Sequence, residues 1–389
     1  MKPTMRSALT FCRLCLLTLL LAACGGGVET GGTGPTGGSY VEGPITGFGS
    51  IIVGGVRFDD STAVVEDNGS GSSRDNLRLG MRVEVESGAI ADDGSGGRVA
   101  TATRVRFASD LIGPVTAADP RGAQIGVIGQ AVRITAATVV DGAPGGAASL
   151  AVGDIVEVHG FPAIDGYVAT RIERRSNAPA AFRVRGLVSD LAPPTLRIGS
   201  QTFDLTATGV PAGLASGQFV RMTVGTAQVA GRWRVTAITV ESRRVEDRDE
   251  AEVEGLITAF TSTARFTVNG IDVDASAARF EDGPNGVVLG ARVKVRGRSV
   301  GGTLIAATVD LRSDDDAFNE GVDLREVITD LNAGAQTFRV RGITVFYGNG
   351  PEFRNGNVDD LANGRRVRVR GFLSSDRTRA IATRIEFEN

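Results

Sequence analysis

The sequence is poor in the residues that most often carry catalysis, with one histidine, three cysteines and one tryptophan among 389 residues, and aromatic residues make up 5% of the chain. His159, as the only histidine, excludes zinc sites built from several histidines. A Ser-His-Asp triad could use only this residue, and no nucleophile-elbow sequence accompanies it. We therefore expect a protein that is not an enzyme and that binds no cofactor and no metal.

A hydrophobic run long enough to cross a membrane is also missing from the N-terminal region. The apolar stretch at residues 14–23 is too short to span a bilayer as a helix. It follows Lys2, Arg6 and Arg13, and the first 23 residues contain no acidic side chain. Positive residues followed by a short apolar run are typical of a secretory signal, so residues 1–23 are predicted to be a cleaved signal peptide.

The signal ends in Leu21-Ala22-Ala23-Cys24, a sequence that resembles the lipobox of bacterial lipoproteins. The resemblance implies that Cys24 is lipidated, becomes the N-terminus and anchors the protein to a membrane. Residues 24–40 are rich in glycine and are predicted to form a flexible tether. Glycine follows the cysteine, which by resemblance to enterobacterial sorting favours the outer membrane, on its periplasmic or its surface face.

Disulfide bonds are not expected, because Cys12 and Cys15 leave with the signal and only Cys24 remains. The full chain carries 42 basic and 45 acidic residues, a net charge of −3 with the histidine neutral. Removal of residues 1–23 takes away three basic residues and makes the net charge −6. A mildly acidic chain lacks the basic surface that nucleic-acid binding requires, so we expect no nucleic-acid partner.

One sequence unit recurs five times along the chain. Its most regular part is an apolar residue, a glycine three positions later and then alternating apolar residues, as in "LRLGMRVEVES" at 77–87. Repetition at a nearly fixed period predicts tandem copies of one folded unit. The shared glycines are separated by 73, 64, 73 and 74 residues and are Gly80, Gly153, Gly217, Gly290 and Gly364.

Each copy has the pattern of about five short strands. An opener such as "VEGLITAF" (253–260) precedes a hairpin such as "FTVNGIDVD" (266–274), in which Asn269 and Gly270 suit a tight turn. A strand rich in threonine and valine, such as "LIAATVDLR" (304–312), closes the copy. The L-x-x-G element lies between the third and fourth strands, where it predicts one helical turn capped by glycine.

This layout predicts an all-β chain of five tandem small antiparallel β-barrels that resemble the OB fold. Polar or charged segments at 174–181, 242–252 and 312–321 indicate linkers between separate barrels, whereas the first junction, near 108–110, is short. A continuous β-solenoid is the alternative, although about 70 residues is long for one coil. The predicted barrels span 41–109, 110–180, 181–248, 249–320 and 321–389.

The signal, the lipobox, the tether and the tandem copies of V-x-G-x-I-T-x-F, L-x-x-G-x-x-V-x-V-x-G and A-T-x-V together resemble a known family. They are similar to bacterial lipoproteins made of tandem copies of a domain of unknown function with a barrel-like β-fold. The resemblance covers essentially the whole chain after residue 23. It implies an architecture and a location, and it implies no established activity.

The polar residues of the repeats do not form a catalytic or metal motif. Positions equivalent to His159 hold Glu86, Thr223, Arg296 and Arg370, so His159 is interpreted as a solvent-facing strand residue. Weak calcium binding in an adhesion-type module is an alternative to solvated turns for the acidic loops, which lack the spacing of a known calcium loop. These loops are at 64–76, 280–286, 314–316 and 355–360.

Two functions fit these observations. The first is a non-enzymatic envelope protein whose barrels bind a polysaccharide or a protein partner, and the second is a structural spacer without a ligand. Exposed aromatic residues that interrupt the repeat pattern would mark a ligand surface, and the richest such segment is "VFYGNGPEF" at 345–353. Phe346, Tyr347 and Phe353 are therefore the predicted ligand surface, with packing of this loop on its own barrel as the alternative.

Overall fold

The computed structural model describes residues 37–94, 96–163, 165–241, 243–313 and 321–388. Regular structure in these residues is almost entirely β-strand, and the helices among them are short 3₁₀ turns. The described residues belong to one compact unit. No helix in this part of the chain has the length and apolar character needed to span a membrane. Cys24, the predicted signal peptide and most of the predicted tether lie outside the described residues.

The first barrel closes through one parallel and several antiparallel strand pairs. The strands are β1 (Ser39–Gly47), β2 (Ile51–Val53), β3 (Val56–Asp59), β4 (Val64–Asp67), β5 (Ser70–Ser72), β6 (Arg82–Ser87), β7 (Ala91–Asp92) and β8 (Arg98–Phe107). β1 pairs with β2, β2 with β3, β3 in parallel with β8, β8 with β6, and β6 with β1. This is the order of a closed five-stranded Greek-key barrel of the OB type.

The second and third barrels repeat this order, with the third main strand parallel to the last and the fourth paired with the first. The second barrel contains β9 (Leu111–Ala118), β10 (Gln124–Val127), β11 (Gln130–Arg133), β12 (Val139–Asp141), β13 (Ile155–Ala163) and β14 (Gly166–Arg174). The third contains β15 (Phe182–Ala192), β16 (Thr195–Ile198), β17 (Gln201–Asp204), β18 (Phe219–Val229) and β19 (Arg232–Glu241).

The fourth and fifth barrels also close in this order, so the all-β prediction is confirmed and the solenoid alternative is wrong. The fourth contains β20 (Arg248–Ser262), β21 (Arg265–Val268), β22 (Ile271–Asp274), β23 (Arg279–Phe280), β24 (Arg292–Val300) and β25 (Thr303–Leu311). The fifth contains β26 (Val322–Val327), β27 (Thr329–Asn332), β28 (Thr337–Val340), β29 (Ile343–Phe346), β30 (Glu352–Arg354), β31 (Arg366–Leu373) and β32 (Arg379–Phe387).

The glycine of each L-x-x-G element ties the start of the fourth main strand to the first. All five glycines have φ between +80° and +96°, which only glycine adopts freely. The amide N–H of each donates to a first-strand carbonyl at 2.8 to 2.9 Å. The pairs are Gly80 to Ile45, Gly153 to Val115, Gly217 to Val188, Gly290 to Ile257 and Gly364 to Ile328.

The helical turn predicted for the L-x-x-G element lies just before it instead. Four barrels have a 3₁₀ turn that ends one residue before the apolar residue of the motif, and the four residues after that apolar residue form a β-turn with glycine in third position. The motif forms a β-turn rather than a helical turn because the β-turn directs the glycine N–H toward a carbonyl of the first strand. The 3₁₀ turns are Arg74–Asn76, Ala147–Ser149, Pro284–Gly286 and Val358–Asp360.

Every closing strand carries a β-bulge at the same register. In four barrels the bulged residue is a threonine whose hydroxyl donates to a carbonyl of the neighbouring strand at 3.1 to 3.2 Å. The side chain thus satisfies a carbonyl beside the irregular pairing, which accounts for threonine in the A-T-x-V motif. The bulged residues are Thr103, Thr170, Thr236, Ala307 and Thr383.

The barrels share hydrophobic cores. One cluster contains side chains of the first and fifth barrels, such as Phe58 and Phe338, and a second contains side chains of the second and third, such as Val158 and Phe203. The fourth barrel has a cluster of its own, which Tyr40 of β1 joins. The predicted boundaries stay predictions, but the barrels they delimit are packed against one another rather than strung along linkers.

Candidate ligand groove

A groove of about 840 Å³ lies between the second and third barrels. This volume is within the range that ligand pockets usually have. The second barrel contributes the ends of β9, β10 and β11 together with Asp165 of the β13–β14 turn, and the third contributes β15 and the β16–β17 hairpin. In OB folds the face of strands 2 and 3 and the loops 1–2 and 4–5 bind ligands, and the groove occupies this face of the second barrel.

Two hairpin turns join the barrels at the groove. The backbone N–H and the hydroxyl of Ser200 both donate to the carbonyl of Gly129, at 3.2 and 2.8 Å. The amide Nε2 of Gln130 donates to the carbonyl of Ile198 at 2.8 Å. A Cβ on Gly129 would lie 2.7 Å from the Cβ of Gln201 in the third barrel, so this approach requires glycine at position 129.

The groove walls combine small apolar residues with a few charged and polar groups. Asp119 and Asp165 lie on the second barrel and Arg197 on the third. The backbone N–H of Arg121 donates to the Asp119 carboxylate at 3.0 Å and lowers the pKa of that carboxyl group, so Asp119 is charged at neutral pH. No aromatic side chain is among the described residues that line the groove. The walls therefore offer hydrogen bonds and charge pairing rather than ring stacking.

A buried ionic cluster, which we call the hub, connects the first three barrels. Arg82 bridges Glu42 and Asp110 at 2.6 and 3.1 Å. Arg185 bridges Asp110 and Glu241 at 3.3 and 2.6 Å. Arg243 also contacts Glu42, at 2.9 Å. The hub consists of Glu42, Arg82, Asp110, Arg185, Glu241 and Arg243.

The hub keeps its carboxylates charged. Burial by itself would raise the pKa of Glu42, but Arg243 and Arg82 outweigh burial and bring this pKa to about 2. Burial would also raise the pKa of Glu241, but the charge of Arg185 outweighs burial and brings this pKa to about 2. Each buried charge therefore has partners of opposite sign, which offsets the cost of removing it from water.

The charged segment 242–252 is predicted to be a linker, and its described part, residues 243–252, lies against other barrels. Arg243 also donates to Glu84 at 2.5 Å, and Glu252 pairs with Arg98 of the first barrel at 2.9 Å. The segment is therefore an interface and not a free linker, because its charges face carboxylates and guanidinium groups of other barrels.

The predicted tight turn of the fourth barrel also reaches the hub. Asn269 forms this turn with φ +51° and is fully buried, and its side-chain amide donates to Glu42 at 3.3 Å.

The predicted aromatic surface is largely packed on the fifth barrel. Tyr347 is 6% exposed and lies 5.8 Å from the ring of Phe338. Phe353 stacks on Phe387, with 6.3 Å between ring centroids, and the Arg379 guanidinium covers Phe346 at 4.8 Å. The role of these aromatics in ligand binding stays a prediction, with little of the Tyr347 ring open to a partner.

His159 is buried, at 1% exposure, and the prediction of a solvent-facing residue is wrong. Its Nε2 atom lies 3.5 Å from Glu157 Oε1, and neither ring nitrogen has a hydrogen-bond partner among the described residues. The error arises because His159 is on the outer face of β13, which packs against β20 of the fourth barrel. Repeat alternation indicates which face is outward but not what covers it.

Metal ligands are not clustered in the described residues. No group of three or more histidine, cysteine, aspartate or glutamate side chains there is arranged to hold a metal ion. The acidic loop at 314–316 lies outside the described residues.

A family model described as "Domain of unknown function (DUF5666)" matches residues 41–106, 112–173, 254–310 and 327–386. The chain belongs to this family. The four matched segments of DUF5666 coincide with the first, second, fourth and fifth barrels. The third barrel lies between matched segments and has the same strand order.

No curated protein matches the chain. Among solved structures, Drosophila Unr CSD456 is similar at 15% identity over 58% of this chain and 99% of that chain, with a TM-score of 0.13.

Sequence reasoning missed both the groove and the hub. The signal for the hub was an acidic residue inside an otherwise apolar opener, Glu42 in "VEGPITGF", which is buried. The signal for the groove was weaker. It consisted of glycine-containing turns at 127–130 and 198–201, which gave no indication that they contact each other.

Proposed function

We propose that the protein is a non-enzymatic protein of the cell envelope whose groove binds a polysaccharide or a protein partner. The observation that carries this proposal is the position of the groove on the face and loops that OB folds use for ligands. Side chains suited to hydrogen bonding line the walls, and the hub holds the surrounding barrels in place. A preformed cleft of this kind binds with little cost of reorganisation.

The anchor of this protein is proposed to be a lipid on Cys24 at the outer membrane. The support is the Leu-Ala-Ala-Cys sequence and the glycine-rich stretch that follows it. Labelling of cells with an alkyne fatty acid tests it, with loss of label expected in Cys24→Ser. Label retained in this variant would contradict the proposal.

The third barrel is proposed to be a divergent fifth copy of the family repeat. It shares the closure of the other barrels, the Gly217 to Val188 hydrogen bond and the bulged Thr236. Its L-x-x-G element has no 3₁₀ turn before it, which is one departure from the other copies.

The groove proposal is tested by filling the cleft. Ala117 is an exposed groove residue, so Ala117→Trp should abolish binding to a glycan array or to envelope proteins crosslinked in cells. Ala362→Trp, at an exposed position of the fifth barrel, is the matched control and should bind as the unaltered protein does. Binding that survives Ala117→Trp would place the ligand elsewhere.

A structural scaffold is the second candidate function, and the hub favours it. Ionic contacts and shared cores join the barrels into one compact unit, as a scaffold requires. In a scaffold, Ala117→Trp would leave envelope function intact, whereas substitution of Glu42 in the hub would impair it.

A further inference from the structure

In the described part of the chain, two strand edges along the groove have no partner strand. β9 pairs with β13 as far as Pro114 and with β10 from Val115 onward, so residues 116–118 have a neighbouring strand on one side only among the described residues. β15 pairs with β18 as far as Leu187 and with β16 from Val188 onward, which leaves residues 189–192 with one neighbour as well. Both edges contribute exposed residues to the groove.

The backbone of Ala118 faces the open side of β9. Across the β9–β10 pair, the N–H of Asp119 donates to the carbonyl of Gln124 at 3.0 Å. Successive residues of an antiparallel strand direct their N–H and C=O groups in opposite directions, so those of Ala118 point away from β10. An exposed edge with free donors and acceptors is a template for the addition of another strand.

The side chains of the groove favour the same class of ligand. The described lining residues include no aromatic ring that could lie against the flat apolar face of a sugar. Alanine and glycine leave the backbone accessible to a ligand that bonds to main-chain groups. Asp119 and Asp165 lie on one wall, where Asp119 is 3.5 Å from the exposed guanidinium of Arg121, and Arg197 lies on the other wall. The two carboxylates complement a basic side chain, which replaces Arg121 as the partner of Asp119 when the groove is occupied.

We propose that the ligand of the groove is an extended polypeptide segment of a partner protein. The segment adds as a strand along residues 116–118 and places a lysine or arginine against Asp119 and Asp165. This inference rests on the proposed function and narrows it to one class of partner. Main-chain hydrogen bonds supply affinity in such complexes, and the carboxylates supply specificity.

The test presents the full chain in parallel to a phage library of random short peptides and to a glycan array. Peptides enriched in lysine and arginine should be selected. Their affinity should fall about tenfold in Ala118→Pro, which removes the open-edge N–H, and in Asp119→Asn/Asp165→Asn, which removes the charges. Asp249→Asn/Asp272→Asn, at exposed positions of the fourth barrel, is the charge-matched control and should not change it.

The outcomes separate this inference from the function on which it rests. Glycans that bind, and that no longer bind to Ala117→Trp, would overturn the polypeptide assignment and keep the groove as the site. Peptide affinity unchanged by Asp119→Asn/Asp165→Asn would also overturn the assignment, even if Ala118→Pro failed to fold. Absence of binding to both probes would overturn the inference and the groove function together.

Discussion

At the scale of single residues, Gly80 is needed both for its positive φ and for a close approach to the second barrel, and its counterparts in the other repeats are needed for the positive φ alone. A Cβ on Gly80 would lie 2.5 Å from the carbonyl oxygen of Thr170, whereas no atom of the described residues, other than those adjacent in the chain, lies within 4 Å of the same point on Gly290. The guanidinium of Arg171 donates to the carbonyl of Leu79 at 3.3 Å. The L-x-x-G turn of the first barrel is therefore docked on the second barrel, and that of the fourth is open.

We expect Gly80→Ala to destabilise the protein more than Gly290→Ala. Both variants force alanine into a left-handed conformation, which costs about 1 to 2 kcal/mol. Only Gly80→Ala adds a clash with a backbone carbonyl, so its total loss should be at least about twice as large. Urea denaturation of the two variants measures this difference. Equal shifts of the unfolding midpoint in the two variants would contradict this expectation, because they would mean that the Thr170 carbonyl moves away from the added methyl group without loss of stability.

At the scale of elements, the bulge of the closing strand depends on its threonine. Thr170 is buried and donates to the carbonyl of His159 at 3.1 Å, while Thr103 makes the same bond at an exposed position. A buried carbonyl that loses its donor stays without a hydrogen bond, and the free energy of removing it from water is no longer offset. An exposed carbonyl that loses its donor forms a hydrogen bond with water instead.

Thr170→Ala is therefore expected to cost about 1 to 2 kcal/mol and Thr103→Ala less than about 1 kcal/mol. The fourth barrel has alanine at this register, so Ala307→Thr should be neutral or slightly stabilising. Thermal unfolding of the three variants checks the order. A larger loss in Thr103→Ala than in Thr170→Ala would contradict it.

At the scale of the whole molecule, the hub makes assembly of the barrels sensitive to acid. The pKa values of Glu42 and Glu241 are about 2 in the folded chain, below their ordinary value of 4.5. Because the folded-state pKa is lowered, the stabilisation is fully present above about pH 4.5 and is lost as the pH falls toward 2. Stability should stay level from neutral pH to about pH 5 and fall steeply below it.

Glu42→Gln tests this dependence. It leaves Arg82 and Arg243 without their shared carboxylate, so we expect a loss of about 3 to 5 kcal/mol at neutral pH and a shallower decline in acid. Glu246→Gln is the control, at a side chain that is 78% exposed. Guanidinium denaturation at a series of pH values provides the measurement. An unchanged acid slope in Glu42→Gln would mean that other carboxylates dominate acid unfolding.

The sequence by itself determined the barrels. Alternation with period two gave the strands, Asn269 and Gly270 gave a tight turn, and the repeated glycines marked where the fourth strand meets the first. These features are local, because each depends on residues that are neighbours along one strand or across one hairpin. The position of the 3₁₀ turn was the local detail that pattern reasoning placed wrongly.

Only the tertiary structure decided how the barrels meet, and with it the hub, the groove and the burial of His159 and Tyr347. Period-two alternation tells an inward residue from an outward one within a barrel. It does not tell an outward residue that faces water from one that faces another barrel. Glu42 and Arg243 are about two hundred residues apart yet in contact, and long-range packing of that kind leaves no periodic trace in the sequence.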